Sequence, residues 1–163
     1  MNADMMNGLP KARHVIVKEA VVAASRAEVW RAWTTSEGAM TFFAPKANIS
    51  LAIGGPYEVY FDPADERMGT KGLKILSYLP EEMISFQWNA PPDMPVVRRE
   101  LCWVVVQFSD AGDGLVKVRL THLGWKEGEE WDKAFNYFQR AWDFVFDNLK
   151  RRFSDGPVDW GKS

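Results

Sequence analysis

Residues 129–153, EEWDKAFNYFQRAWDFVFDNLKRRF, decide the architecture of this 163-residue chain. Trp131, Phe135, Phe138, Trp142, Val145, Leu149 and Phe153 recur at helical spacing, and at about 100° per residue they fall within one narrow sector. Asp132, Lys133, Asn136, Arg140, Asp143, Asp147 and Lys150 take the opposite side. Glu127, Glu129 and Glu130 place negative charge at the start, Lys150, Arg151 and Arg152 place positive charge at the end, and Gly156-Pro157 stops the helix. At 1.5 Å per residue it is about 37 Å long, enough to cross a whole sheet. Its apolar face must be covered, and the candidate partner is the antiparallel sheet written upstream.

Residues 14–22, rich in Val and Ile, predict a first strand. Ser25 followed by Glu28 is a capping box, in which hydroxyl and carboxylate each take a backbone N–H. It opens a helix through Val29, Trp30 and Trp33, both Val29 and Trp33 packing in the core, and residues 36–43 predict a second short helix before Pro45. Residues 49–53 and 57–61 read as a hairpin around Gly54-Gly55, whose glycines suit a two-residue turn. Segments 73–79, 83–89, 100–108 and 115–123 supply four more strands, with a Pro-rich loop over 90–99. Strand, two short helices, six strands and one long helix is the order of an α+β helix-grip fold. It predicts a curved seven-stranded antiparallel sheet with the C-terminal helix packed over it, enclosing a cavity. Residues 1–13 read as a flexible leader, 14–153 as a single domain and 154–163 as a tail.

Composition narrows the function classes. At 47% hydrophobic content, one domain of this length buries roughly 70% of its unfolded surface and needs no staple. The single cysteine, Cys102, cannot form an internal disulfide, which points to a reducing, cytoplasmic setting. A net charge of -2 and a pI near 5.7 give no general pull toward nucleic acid or anionic membranes. Neither a signal peptide nor a membrane-spanning stretch is written, so the sequon Asn48-Ile49-Ser50 is expected to be silent.

Chemistry-bearing residues are few. His122 shares a strand face with Val116, Val118 and Leu120, so its imidazole should point toward the helix. There it could orient a ligand or act as an acid or base, or it could be a core histidine satisfied by a hydrogen bond. Cys102, between apolar neighbours, reads as an inert buried thiol. His14, His122 and Cys102 lack metal-ligand spacing, and there is no G-x-S-x-G, P-loop or G-x-G-x-x-G. No catalytic set, metal or cofactor is therefore assigned. Glu58 reads as facing water with Tyr60, opposite Tyr57, Val59 and Phe61. Eight Trp, ten Phe and four Tyr are the main resource. Phe86, Trp88, Phe135, Phe138 and Trp142, with Gln139 and His122 as polar handles, are the expected lining of a site for a small hydrophobic molecule. Pro91-Pro92-Asp93-Met94-Pro95 is its expected rim.

The segments Glu28-Val29-Trp30-Arg31-Ala32-Trp33-Thr34, Gly54-Gly55-Pro56-Tyr57, Gly72-Leu73-Lys74-Ile75-Leu76 and Leu120-Thr121-His122-Leu123-Gly124-Trp125 carry a family resemblance. Together with Trp131, Tyr137-Phe138 and Ala141-Trp142, they resemble the family of activator of heat-shock-protein-90 ATPase homologues, within the START-like superfamily of polyketide cyclases and lipid-transfer proteins. The resemblance spans roughly residues 14–153, and its motifs describe turns and packing, so it implies a fold before an activity. It implies a START-like domain, and the inferred cavity with no convincing catalytic set makes binding of a small hydrophobic or amphipathic ligand the leading reading. The alternative is a cyclase, hydratase or isomerase acting on a hydrophobic substrate, and the third reading is a co-chaperone of the heat-shock ATPase. Exposed edge strands and surplus tryptophans add a homodimer as a further partner.

Overall fold

The computed structural model describes residues 14–161. The expected leader, residues 1–13, lies outside them, as do the last two residues of the expected tail. The described elements run β1 (Ile16–Ala23), α1 (Arg26–Thr34), α2 (Ser36–Ala39), β2 (Lys46–Ile49), β3 (Tyr57–Tyr60), β4 (Ile75–Leu79), β5 (Met83–Trp88), α3 (Pro95–Glu100), β6 (Cys102–Gly112), β7 (Leu115–Leu123) and α4 (Glu129–Asp155). None of these helices is long and apolar enough to cross a membrane.

Every pairing is antiparallel. Five strands form one sheet in the order β1-β7-β6-β5-β4, while β2 and β3 form a second. The expected single seven-stranded sheet is thus divided, its parts joined by a Pro56–Lys74 bridge. Gly54-Gly55 makes that join. Gly54 N–H donates to the Ile75 carbonyl at 2.9 Å, and Ile75 N–H donates to the Gly55 carbonyl at 2.8 Å. The expected hairpin over 49–61 is corrected accordingly: β2 ends at Ile49, and residues 50–56 form a longer connection. Gly54 takes a φ of +77°, and a side chain at residue 55 would strike the Ser50 carbonyl, so both glycines are needed for reasons of their own.

Local signals place the helices. Ser25 Oγ accepts from Glu28 N–H at 3.2 Å, while Glu28 takes the Ser25 hydroxyl rather than its backbone N–H, leaving half of the expected box. Thr35 both ends α1 and caps α2, accepting from Gly38 N–H at 3.0 Å. Val29 and Trp33 are buried, as their spacing predicts. The 90–99 segment is not loop throughout. Pro95 opens the short helix α3, and the carboxylate of Glu130, 33 residues on, accepts from Val97 N–H at 2.7 Å. Glu130 therefore caps a neighbouring helix, where its position had suggested only a favourable dipole term for its own.

The 27-residue α4 is about 40 Å long and packs over β1, where Lys18 and Asp143 pair at 2.8 Å. Trp131, Phe138, Trp142, Val145 and Leu149 are buried as expected, and Phe135 and Phe153 half-buried. Ala134, Phe146 and Asn148 are buried as well, and Trp33 of α1 packs on Phe146 with ring centroids 6.1 Å apart. The tail doubles back: Val158 N–H donates to the Thr41 carbonyl and Trp160 Nε1–H to the Met40 carbonyl.

Candidate functional site

The face of the sheet under α4 is a register of apolar side chains interrupted by one imidazole. Ile16, His122, Val104, Phe86 and Ile75 stand opposite one another on β1, β7, β6, β5 and β4. His122 is fully buried, with its ring centroid 4.4 Å from that of Trp125 and 5.2 Å from that of Phe138. Its Nδ1 accepts from Trp142 Nε1–H at 3.0 Å, which leaves the proton on Nε2, and Nε2 meets no partner among the described residues. Burial pushes the imidazole down to about 3 from its ordinary value near 6.5, so the ring stays neutral in ordinary buffers. A neutral imidazole locked by Trp142 and enclosed by aromatic rings joins helix to sheet. Among the described residues no carboxylate acts on it to complete an acid/base pair.

Between α4 and the sheet lies an aromatic wedge. Tyr57 stacks on Phe86 at 3.8 Å and donates its hydroxyl to the Trp33 carbonyl at 2.7 Å. Trp88 lies against Phe43 and Trp142, with centroids 5.7 Å and 5.0 Å away. These rings fill the middle of the grip, and the open space is displaced to one flank. There a groove of about 460 Å³ runs between α4 and the ends of β3 and β5. Phe61, Trp88, Phe138 and Trp142 form its floor. Tyr137, Arg140, Ala141, Phe144 and Val145 supply the helix wall. No histidine and no acidic side chain is among these lining residues.

A small annex of about 80 Å³ continues the groove past Phe61, Trp88, Tyr137 and Phe138 to Met68, Asn89, Pro91 and Arg98. Arg98 is held on α3, donating from Nη1 to the Ala90 carbonyl at 2.6 Å. Burial, aided by the positive charge of Arg67 and opposed by the negative charge of Asp65, lowers its affinity for its proton. Tyr137, on both compartments, keeps its phenol protonated because burial and the charge of Asp93 raise its pKa. Glu58 lies away from the groove. Burial pushes its carboxyl up, but hydrogen bonds from Asn48, Gly72 N–H and Tyr60 outweigh that and hold it low. Tyr60, expected to face water beside it, is buried, and Phe61, expected inward, is 44% exposed because the chain leaves the strand at Tyr60.

Of the residues singled out from the sequence, Trp88, Phe138 and Trp142 line the groove. Phe86 and His122 lie beneath it in the core, Phe135 packs on Trp125, and Gln139 sits half-buried outside the lining. His122 is therefore not a polar handle of the groove, as its strand face had suggested. Within the expected rim, Pro91 borders the annex while Met94 is buried. Sequence reasoning missed Phe61, Tyr137, Ala141 and Phe144. Tyr137, Ala141 and Phe144 repeat at i, i+4 and i+7 beside the main stripe, and this second strip was the readable signal. Arg98 carried no such signal. Cys102 is buried, and burial pushes its thiol up to about 12. Among the described residues no cluster of His, Cys, Asp and Glu could hold a metal ion.

Comparison with known proteins gives a consistent picture. The family described as "Activator of Hsp90 ATPase homolog 1-like protein" matches residues 23–154. No curated protein matches the chain. Among solved structures, MLL2253 from Mesorhizobium loti superposes with a TM-score of 0.71 at 17% identity, over 88% of this chain and 99% of that one. The Aha1 dimer from Colwellia psychrerythraea, solved in solution, gives 0.67 at 17% identity, over 87% and 97%. DynU16, a protein of the dynemicin biosynthetic locus, gives 0.66 at 15% identity, over 88% of this chain and 48% of that one. At such identities the likeness speaks for the helix-grip fold alone.

Proposed function

We propose that this chain, which belongs to the Activator of Hsp90 ATPase homolog 1-like family, holds a small hydrophobic or amphipathic molecule in the groove between α4 and the ends of β3 and β5. The groove itself carries the reading. Its volume of about 460 Å³ suits a small guest, and aromatic rings dominate its walls. Phe144 at 63% exposure and Phe61 at 44% leave apolar surface in water that a guest would cover. Binding is favoured over catalysis because acid/base chemistry needs two titratable groups converging on one point, and His122 stands buried, neutral and without a carboxylate. A guest of biosynthetic origin fits the place of DynU16 in the dynemicin locus. A cytoplasmic setting fits the lone buried thiol.

Native mass spectrometry of protein purified gently from its own source, compared with the denatured sample, tests the proposal. An extra mass lost on denaturation is expected, together with a raised melting temperature when a hydrophobic panel is added to stripped protein. A clean apoprotein whose melting temperature no member of the panel shifts would remove the binding reading.

A second reading is self-association through the same flank, supported by exposed Phe144 and Tyr137 and by the dimeric state of the Colwellia relative. Light scattering separates the two readings: a dimer that persists without ligand and dissociates when Phe144 is replaced would favour it. The family description also names an Hsp90 ATPase activator. Failure to stimulate the purified chaperone at saturating protein would remove that role.

A further inference from the structure

The groove and its annex differ in chemistry, and the difference specifies the guest. The main groove is walled by rings and aliphatic groups, whereas the annex ends at Arg98. Neither compartment has a carboxylate in its lining, so two arginines, Arg98 and Arg140, are the charged groups that a guest meets. We propose that the annex is the head-group end of the site, where Arg98 receives the carboxylate of an amphipathic acid whose apolar body lies along Phe61, Trp88, Phe138 and Ala141. This inference rests on the groove being a binding site.

Three observations support it. Arg98 is half-buried and, among the described residues, makes one hydrogen bond, from Nη1 to Ala90, with Nε and Nη2 finding no acceptor there. Its neighbour Arg67, by contrast, is saturated by Asp65 through two bonds of 3.0 Å. Asp65, the carboxylate whose charge acts on Arg98, is thus already engaged, and an arginine partly withdrawn from water with its fork open favours an anion, a carboxylate matching its planar geometry. The second observation is position. Arg98 directly follows Val97, whose N–H is held by Glu130 of the gripping helix, so α3 and its guanidinium are fixed before any guest arrives. The third is size: at about 80 Å³ the annex is much smaller than the 460 Å³ main groove, which suits it to a head group rather than to the body of the guest. Rings and chains then find their room in the main groove.

Two matched pairs of probes test this: dodecanoate with dodecanol, and 2-naphthoate with 2-naphthol, titrated at pH 7.5 by quenching of tryptophan fluorescence. Trp88 and Trp142 in the lining provide the signal. Each acid is expected to bind about tenfold or more tightly than its alcohol, the gain typical of a hydrogen-bonded charge. Arg98→Gln should erase that preference by weakening the acids while leaving the alcohols unchanged. Arg98→Lys, which keeps the charge but not the fork, should retain part of it, and it serves if the glutamine variant fails to fold. The chain pair and the ring pair distinguish an acyl from an aromatic acid. Equal binding of acids and alcohols would overturn the head-group inference while leaving the groove reading intact. A preference that survives Arg98→Gln and disappears in Arg140→Gln would overturn the assignment to Arg98. Failure of all four probes to bind would sink both readings.

Discussion

Acidification from pH 7.5 to 5 should cost this protein about 2 kcal/mol through His122 alone. Burial holds the folded imidazole at about 3, whereas an unfolded histidine titrates near 6.5. Between those values the unfolded chain binds the extra proton. The histidine's contribution is therefore complete above pH 6.5 and is lost progressively as pH falls toward 3. At pH 5 the unfolded imidazole is protonated roughly 30-fold over neutral while the folded one remains neutral, which by linkage amounts to about 2 kcal/mol. For a domain of this size that corresponds to a fall in Tm of roughly 4–8 °C. His122→Gln is the control, since its amide oxygen can still accept from Trp142 and nothing titrates. Urea denaturation at both pH values should show wild type losing about 2 kcal/mol more than the variant across the window. Carboxyl groups held low, Glu58 among them, take effect below about pH 4.5 in both proteins and cancel. Equal losses in wild type and variant would refute a neutral, buried His122.

Three further outcomes follow from the geometry. Glu130→Ala should destabilise the domain by about 1 kcal/mol through the lost cap on Val97, with α3 amides exchanging faster by hydrogen exchange than in wild type. Phe144→Ser should leave stability within about 0.5 kcal/mol, because the ring is 63% exposed, yet weaken groove ligands several-fold in a fluorescence titration. Cys102, with its thiol pushed to about 12, should resist iodoacetamide at pH 8 in the native state and react fully in guanidinium; rapid native labelling would contradict its burial.

Much of the fold was legible because periodicity reports burial directly. The stripe from Trp131 to Phe153 faces the sheet, and the alternation Val116, Val118, Leu120, His122 places the imidazole inward. Capping at Ser25 and the apolar pair Val29 and Trp33 marked the first helix correctly. Other features were illegible in the chain because they depend on partners distant in sequence. The join between the two sheets depends on Gly54 and Gly55 bonding to Ile75, and α3 exists where the proline-rich text suggested loop because Val97 finds Glu130. The candidate site divides the same way. Trp88, Phe138 and Trp142 could be named from their spacing, since a residue that faces the grip must border any space left in it. Whether a ring fills that space or only borders it depends on how bulky side chains from five or six elements interlock. Thus His122 and Phe86 lie under the wedge, while Phe61 and Phe144 stand at its edge. The sequence by itself determined an amphipathic helix that must close on an antiparallel sheet, because apolar periodicity admits few other solutions. Only the tertiary structure decided that the opening lies on the flank and ends at Arg98, because cavities are what packing leaves over and no local pattern encodes them.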